Sequence, residues 1–246
     1  MSSLVAMALR LSARRLIEGA TYADMRVHDS AIAPIDHMAF DEGKDEPFIV
    51  ISTEDENATD IDGRDVTGGN RTIDLVIEVA IAHAVAAQGP TPAGAGTGPN
   101  IVIPATDSGF EISLGLISRQ IMRALFEQKT NPWDAVFKRF CLSVDKITNK
   151  RGVGANDEAR FAARQIVITI MAPHEPHFGH DPSPGDIWAD FLTQIDTDGE
   201  MAPLSPLIRQ SITGTPPIAP PDRARADQGL SDDAAAKIGI TIPGVP

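Results

Sequence analysis

Between Arg71 and Ala87 the chain sets Ile73, Leu75, Ile77, Val79 and Ile81 at every second position, with Asp74 and Glu78 among the residues between them. A period of two in hydrophobicity predicts a β-strand with one face buried. Fifteen residues in extended conformation reach about 50 Å, well beyond the usual strand. A strand of that length bends sharply or reaches out of its own domain toward a neighbour. The five apolar residues are therefore candidates for a subunit interface, and the long strand predicts a protruding β-hairpin.

The elements around it follow from shorter signals. Leu4, Val5, Ala8, Leu9 and Leu16 recur at helical spacing and Gly19 supplies a stop, which predicts a helix over Ser3–Ile17. Ala23–His28 reads as a short strand, and Pro47–Thr53 as a buried one entered through a proline. Consecutive strands usually neighbour each other, so Pro47–Thr53 is expected to pair antiparallel with Arg71–Ala87. Gln88–Asn100 is a Gly/Pro loop, and Ile101–Ile103 a short strand candidate. Ser108 and Glu111 form a capping-box pattern ahead of a stripe of Phe110, Leu114, Ile117, Ile121 and Leu125. Asn131 and Pro132 start a second helix carrying Trp133, Phe137 and Phe140. Val144–Thr148 is read as strand, Asn149–Asp157 as loose chain, and Phe161–Met171 as the last strand of the sheet. Ser183 and Pro184 cap a small helix, Asp186–Ile195.

These elements give an α+β fold: a mixed, mainly antiparallel sheet with helices packed on one face and an irregular C-terminal extension. The expected organisation is an α+β domain over residues 1–172, a short helical extension over 173–212, and a Pro/Ala-rich tail over 213–246 that orders on a partner. With 246 residues and 42% hydrophobic content, one substantial core can form.

Charge and cysteine content narrow the function classes. The net charge is −13, and Asp41–Asp65 supplies −8 of it, ten acids against Lys44 and Arg64. Such a balance argues against gripping nucleic acid by phosphate neutralisation. It permits DNA to pass nearby without adhering. Cys141 is the only cysteine, so no intrachain disulfide forms, and its neighbours Phe140 and Leu142 predict a buried thiol. Arg10, Arg14 and Arg15 interrupt the N-terminal apolar run, unlike a signal peptide, and no window of about 18 apolar residues predicts a membrane span.

Few motifs suggest chemistry. His174, His177 and His180 fall within seven positions and are the weak candidates for structural or adventitious metal binding; a metal-dependent hydrolase using them is the alternative from a different function class. Their spacing of three, with Pro176 and Pro182 nearby, does not put them on one helical face, and the simpler reading is a stiff solvated loop. Asp60, Asp62 and Asp65 lack the remaining ligands of a calcium loop. Gly94–Gly98 has no following Lys-Ser/Thr, and Cys141 has no argued base. Lys138, Arg139, Lys146, Lys150 and Arg151 form a basic cluster suited to an acidic partner surface or to plain solvation. No catalytic residue or cofactor is expected.

The order of elements resembles the tail-terminator proteins of long-tailed bacteriophages. The likeness runs through Leu4–Ile17 into Ala23–His28, through PFIVISTEDE ending at Glu56, and on through Arg71–Val85, the helix Ser108–Phe126 and Glu158–Met171. It implies a non-enzymatic virion protein of the neck, made in the host cytoplasm. Such a subunit would form a six-membered ring that caps the tail tube, ends its polymerisation and joins the tail to the head connector. Its partners would be its own copies, the tube protein and the connector or stopper protein, with DNA passing through unbound. Asp55, Glu56, Asp60, Asp62 and Asp65 are then the channel-lining candidates. Another connector or stopper protein of the neck is the nearest alternative, and the Gly/Pro loop and everything after Pro173 are additions to the family's plan.

Overall fold

The computed structural model describes residues 3–30, 47–58, 61, 65–84, 107–127, 129–155 and 159–214. The Gln88–Asn100 loop, the Ile101–Ile103 strand candidate and the tail after Gly214 lie outside these residues, as do Asp60 and Asp62. The fold is α+β. Helix α1 (Leu4–Ile17) leads to β1 (Val27–Asp29), β2 (Phe48–Ala58) and β3 (Arg71–Ala84). Helices α2 (Asp107–Phe126) and α3 (Trp133–Phe140) precede β4 (Ser143–Ala155) and β5 (Ala159–Ala172). Helix α4 (Ile187–Thr197), a 3₁₀ turn (Ala202–Leu204) and α5 (Ser205–Thr213) are the last elements among the described residues.

The five strands form one open sheet in the order β1-β2-β3-β5-β4. Only β1 and β2 are parallel; the other three pairings are antiparallel, including the expected β2–β3 pair. Strand β3 is central and long. β2 follows it only as far as Phe48 opposite Ala80, whereas β5 pairs with it through Ala84 opposite Ala159. The part that reaches past β2 is therefore the β4–β5 hairpin with β3 alongside. Residues 149–155, expected to be loose chain, belong to β4 and pair with β5 as far as Ala155 opposite Arg160. The reason for the difference is exposure. Asn149, Lys150 and Arg151 are exposed, and exposed residues carry no apolar alternation, so the sequence there resembles a loop.

One face of the sheet holds the helices. Ile49 and Ile51 of β2, Ile73, Leu75, Ile77, Val79 and Ile81 of β3 and Ile166, Ile168 and Ile170 of β5 join Leu9, Leu16, Leu114, Ile121 and Phe137 in a single core. Phe48, Val50, Val76 and Ala80 point the other way and are also buried. The residues after β5 pack on α3 as a second helical layer. Phe140 meets Trp188 at 5.1 Å and Phe191 at 5.8 Å, and Trp133 meets Phe191 at 6.3 Å, all edge-to-face, the arrangement that aromatic quadrupoles favour. Ile195, Ile208 and Ile212 extend the same core.

The helix starts differ in detail from the sequence reading. α2 begins at Asp107, so Ser108 lies inside the first turn and Glu111 turns away to bind arginines rather than closing a capping box. α4 is capped by Asp186, whose Oδ1 accepts from the Trp188 N–H at 2.7 Å, rather than by Ser183. Asn131 does act as expected, its Oδ1 accepting from the Trp133 N–H at 3.0 Å.

Candidate assembly surface

The five proposed interface residues of β3 do not lie on a surface. Ile73, Leu75, Ile77 and Val79 are fully buried and Ile81 is nearly so. The chain's own helices fill the face they form, so the alternation reports the core and a neighbouring subunit cannot meet these side chains. Strand length had suggested projection, but most of β3 is flanked by β2 and β5 within the same molecule.

The channel-lining candidates divide. Asp55 is exposed at the register shift between Thr53 and Glu56 of β2. Glu56 is engaged internally: its Oε1 accepts from Arg71 at 2.8 Å and its Oε2 from the Ser3 N–H at 3.2 Å. Asp65 closes a turn, its Oδ1 accepting from the Thr67 N–H at 3.0 Å and the Thr67 hydroxyl at 2.5 Å. Those bonds, the Thr67 hydroxyl first, hold the Asp65 carboxyl below its ordinary range.

The three histidines are close in sequence but serve three separate partners. His174 Nδ1–H donates to the Glu175 carbonyl at 2.7 Å. His177 Nδ1 lies 2.8 Å from Thr67 Oγ1. The Thr67 proton is used on Asp65, so this histidine nitrogen must be the donor. His180 Nε2–H donates to Asp186 Oδ2 at 2.6 Å, bracing the residue that caps α4. Among the described residues no group of three or more His, Cys, Asp or Glu side chains is arranged to hold a metal.

What this loop does is hold α1. Glu175 Oε2 accepts from the Leu4 N–H at 3.1 Å and Oε1 from the Val5 N–H at 3.0 Å. Ser3 Oγ accepts from the Ala6 N–H at 3.0 Å, and Glu56 takes the Ser3 N–H. Every donor that the first turn of a helix leaves without an intrahelical partner is thus satisfied. The opposite end of α1 is tied as tightly. Arg15 bonds Glu18 at 2.5 Å, Asp198 at 2.7 Å and Glu200 at 2.9 Å, while Arg14 meets Glu200 at 2.8 Å. Burial works against the Arg15 charge, but its bonds to Glu18 and Glu200 and the nearby Asp198 outweigh it and raise the group above the ordinary arginine value. Glu200, hydrogen-bonded by Arg14 and Arg15, is held below the usual carboxylate range.

Among the described residues β4 is covered by no strand on its outer side. It is the outermost strand, 13 residues long, and residues 142–147 are all exposed. Val144 and Ile147 lie opposite Ile170 and Ile168 on the helix-bearing face, yet remain 37% and 44% exposed. Helix α2 stops short of them and leaves an open groove of about 560 Å³ between itself and the strand. Its apolar floor is Met122, Ile147 and Ile166, and its rim is Arg119, Lys150, Arg151 and Arg164. Glu111 serves two of these cations at once, Arg151 at 2.6 Å and Arg164 at 3.1 Å. The basic cluster read from the sequence therefore splits. Lys138 and Arg139 belong to α3, paired with Asp134 and Asp190, while Lys146, Lys150 and Arg151 line the open edge. Arg119 and Arg164 join that edge from α2 and β5, which no local pattern announced.

No protein-family model matches this chain, and comparison with curated proteins finds no similar sequence. Among the described residues, no helix is long and apolar enough to cross a membrane.

Proposed function

We propose that this chain is a non-enzymatic structural subunit of a bacteriophage neck. Its copies form a ring, of six as the resemblance implies, that caps the tail tube, stops its growth and meets the head connector. The observation that carries the reading is the open β4 edge. Among the described residues this long outer strand has no strand partner on its outer side, beside exposed Val144 and Ile147, and such an edge invites a further strand. The resemblance in element order to tail terminators supplies the rest. The mechanism is steric: one ring face matches the tube end, and the other does not accept another tube subunit.

Light scattering coupled to gel filtration, with negative-stain microscopy of the peak, tests the proposal on the full chain. A ring with a central opening is expected. A compact monomer at every concentration would overturn it.

A further inference from the structure

The two open edges of the sheet carry opposite charge. On β4, Lys146 and Lys150 are exposed on the face away from the helices, in register with Thr169 and Gln165. Across the strand, Arg151 and Arg164 share the single carboxylate of Glu111, and Arg119 stands nearby. Asp145, exposed beside Lys146, and Glu111 offset part of this charge, but the edge stays net basic in a chain whose net charge is −13. At the far side of the sheet, β1 covers β2 only over Ile49–Ile51. Among the described residues the rest of β2 has no strand partner on that side, and this free half presents exposed Glu54 and Asp55.

Strand direction fits the same pairing. β2 and β5 run one way, β3 and β4 the other. Laying the β2 edge of a second copy beside β4, with both helix layers on the same side, therefore gives an antiparallel pair. Like edges repel: β4 against β4 sets lysine on lysine, and β2 against β2 sets acid on acid. Unlike edges attract, and such charge patterns select partners by excluding the wrong ones. The two edges lie three strand spacings apart, about 14 Å, on opposite margins of the sheet. One neighbour cannot cover both, so the contact is head-to-tail and propagates until rotation closes it.

We infer that the acidic free half of β2 in one copy docks on the basic β4 edge and groove of the next copy. The inference rests on the proposed ring and names the seam within it.

The test is a charge swap in the full chain. One variant carries Lys146→Glu and Lys150→Glu, the other Glu54→Lys and Asp55→Lys. All four residues are exposed, and circular dichroism confirms that each variant is folded. Each variant alone is expected to remain monomeric at concentrations where the parent is assembled, with at least a tenfold weaker association. A one-to-one mixture regains the parent's assembly, because each reversed edge now meets a reversed partner. The parent ring also loosens as salt is raised, as partly exposed charges require. If the parent forms rings and both variants do so equally well alone, the seam lies elsewhere and the inference is wrong while the ring stands. A closed dimer of the parent would overturn the head-to-tail seam. A parent that is monomeric throughout removes the ring as well.

Discussion

Replacing Glu175 with alanine removes the group on which the first turn of α1 depends. The loss can be worked from its contacts. The carboxylate accepts from two backbone N–H groups, at 3.1 and 3.0 Å, and lies 3.7 Å from Arg71 Nε. Charged acceptors contribute about 1.5–3 kcal/mol per bond at most, and a negative charge at a helix N-terminus about 0.3–1 kcal/mol. Water replaces part of this at an accessible helix end, and Arg71 keeps Glu56 as partner. The expected loss is about 2–3 kcal/mol for Glu175→Ala, and about 1 kcal/mol for Glu175→Gln, which keeps an acceptor oxygen. For a chain of this size that lowers Tm by roughly 5–10 °C and 2–4 °C respectively. Thermal melts followed at 222 nm give the shift, and hydrogen exchange gives its location: the Leu4 and Val5 amides should lose protection first. An alanine variant that melts within a degree of the parent would refute the assignment of this loop as the clasp of α1.

Three further outcomes follow from other contacts. Phe191→Ala opens a cavity among Trp133, Phe140 and Trp188 and should cost about 3–5 kcal/mol; a small change in urea midpoint would mean that the C-terminal helices do not share the core. Burial pushes the Cys141 thiol up to about 11, against about 8.5 for a free cysteine, so alkylation at pH 8 should run about a hundredfold slower in the folded chain than in urea. Glu200 has a folded pKa below its unfolded one. Its contribution is therefore complete above the unfolded value of about 4.3 and fades as pH falls through the folded value. Because the side chain is 56% exposed, the effect is under about 1 kcal/mol; Glu200→Gln should flatten the fall of Tm between about pH 5 and 3, and an unchanged acid limb would count against the Arg14–Arg15–Glu200 network.

What the sequence revealed depended on how local the cause was. The alternation in β3 reports one buried face, and Ile73 to Ile81 do form it. It cannot say what fills that face, because α1 and α2 are distant in the chain; the same pattern serves a core or an interface. Val144–Thr148 of β4 is legible as strand, whereas the exposed Asn149, Lys150 and Arg151 that continue it show no apolar alternation. Glu175 and Glu56 were invisible as caps, because they act on a helix more than fifty residues away. The histidines read first as a stiff solvated loop; in space the His174 and His177 rings lie 5.5 Å apart, and the three imidazoles bond Glu175, Thr67 and Asp186. Lys146, Lys150 and Arg151 were visible as a basic run, but Arg119 and Arg164 reach the groove only through the fold.

The fastening of α1 at both ends has a consequence for how the polypeptide matures. Its first turn is completed by a residue 171 positions downstream, and its last by one 186 positions away. At 5–20 residues per second, translation needs roughly 10–35 seconds to supply those carboxylates. A ribosome-bound fragment ending before Glu175 has all five described strands but lacks Glu175 and Glu200, so α1 is made before the sheet and fully fastened only after it.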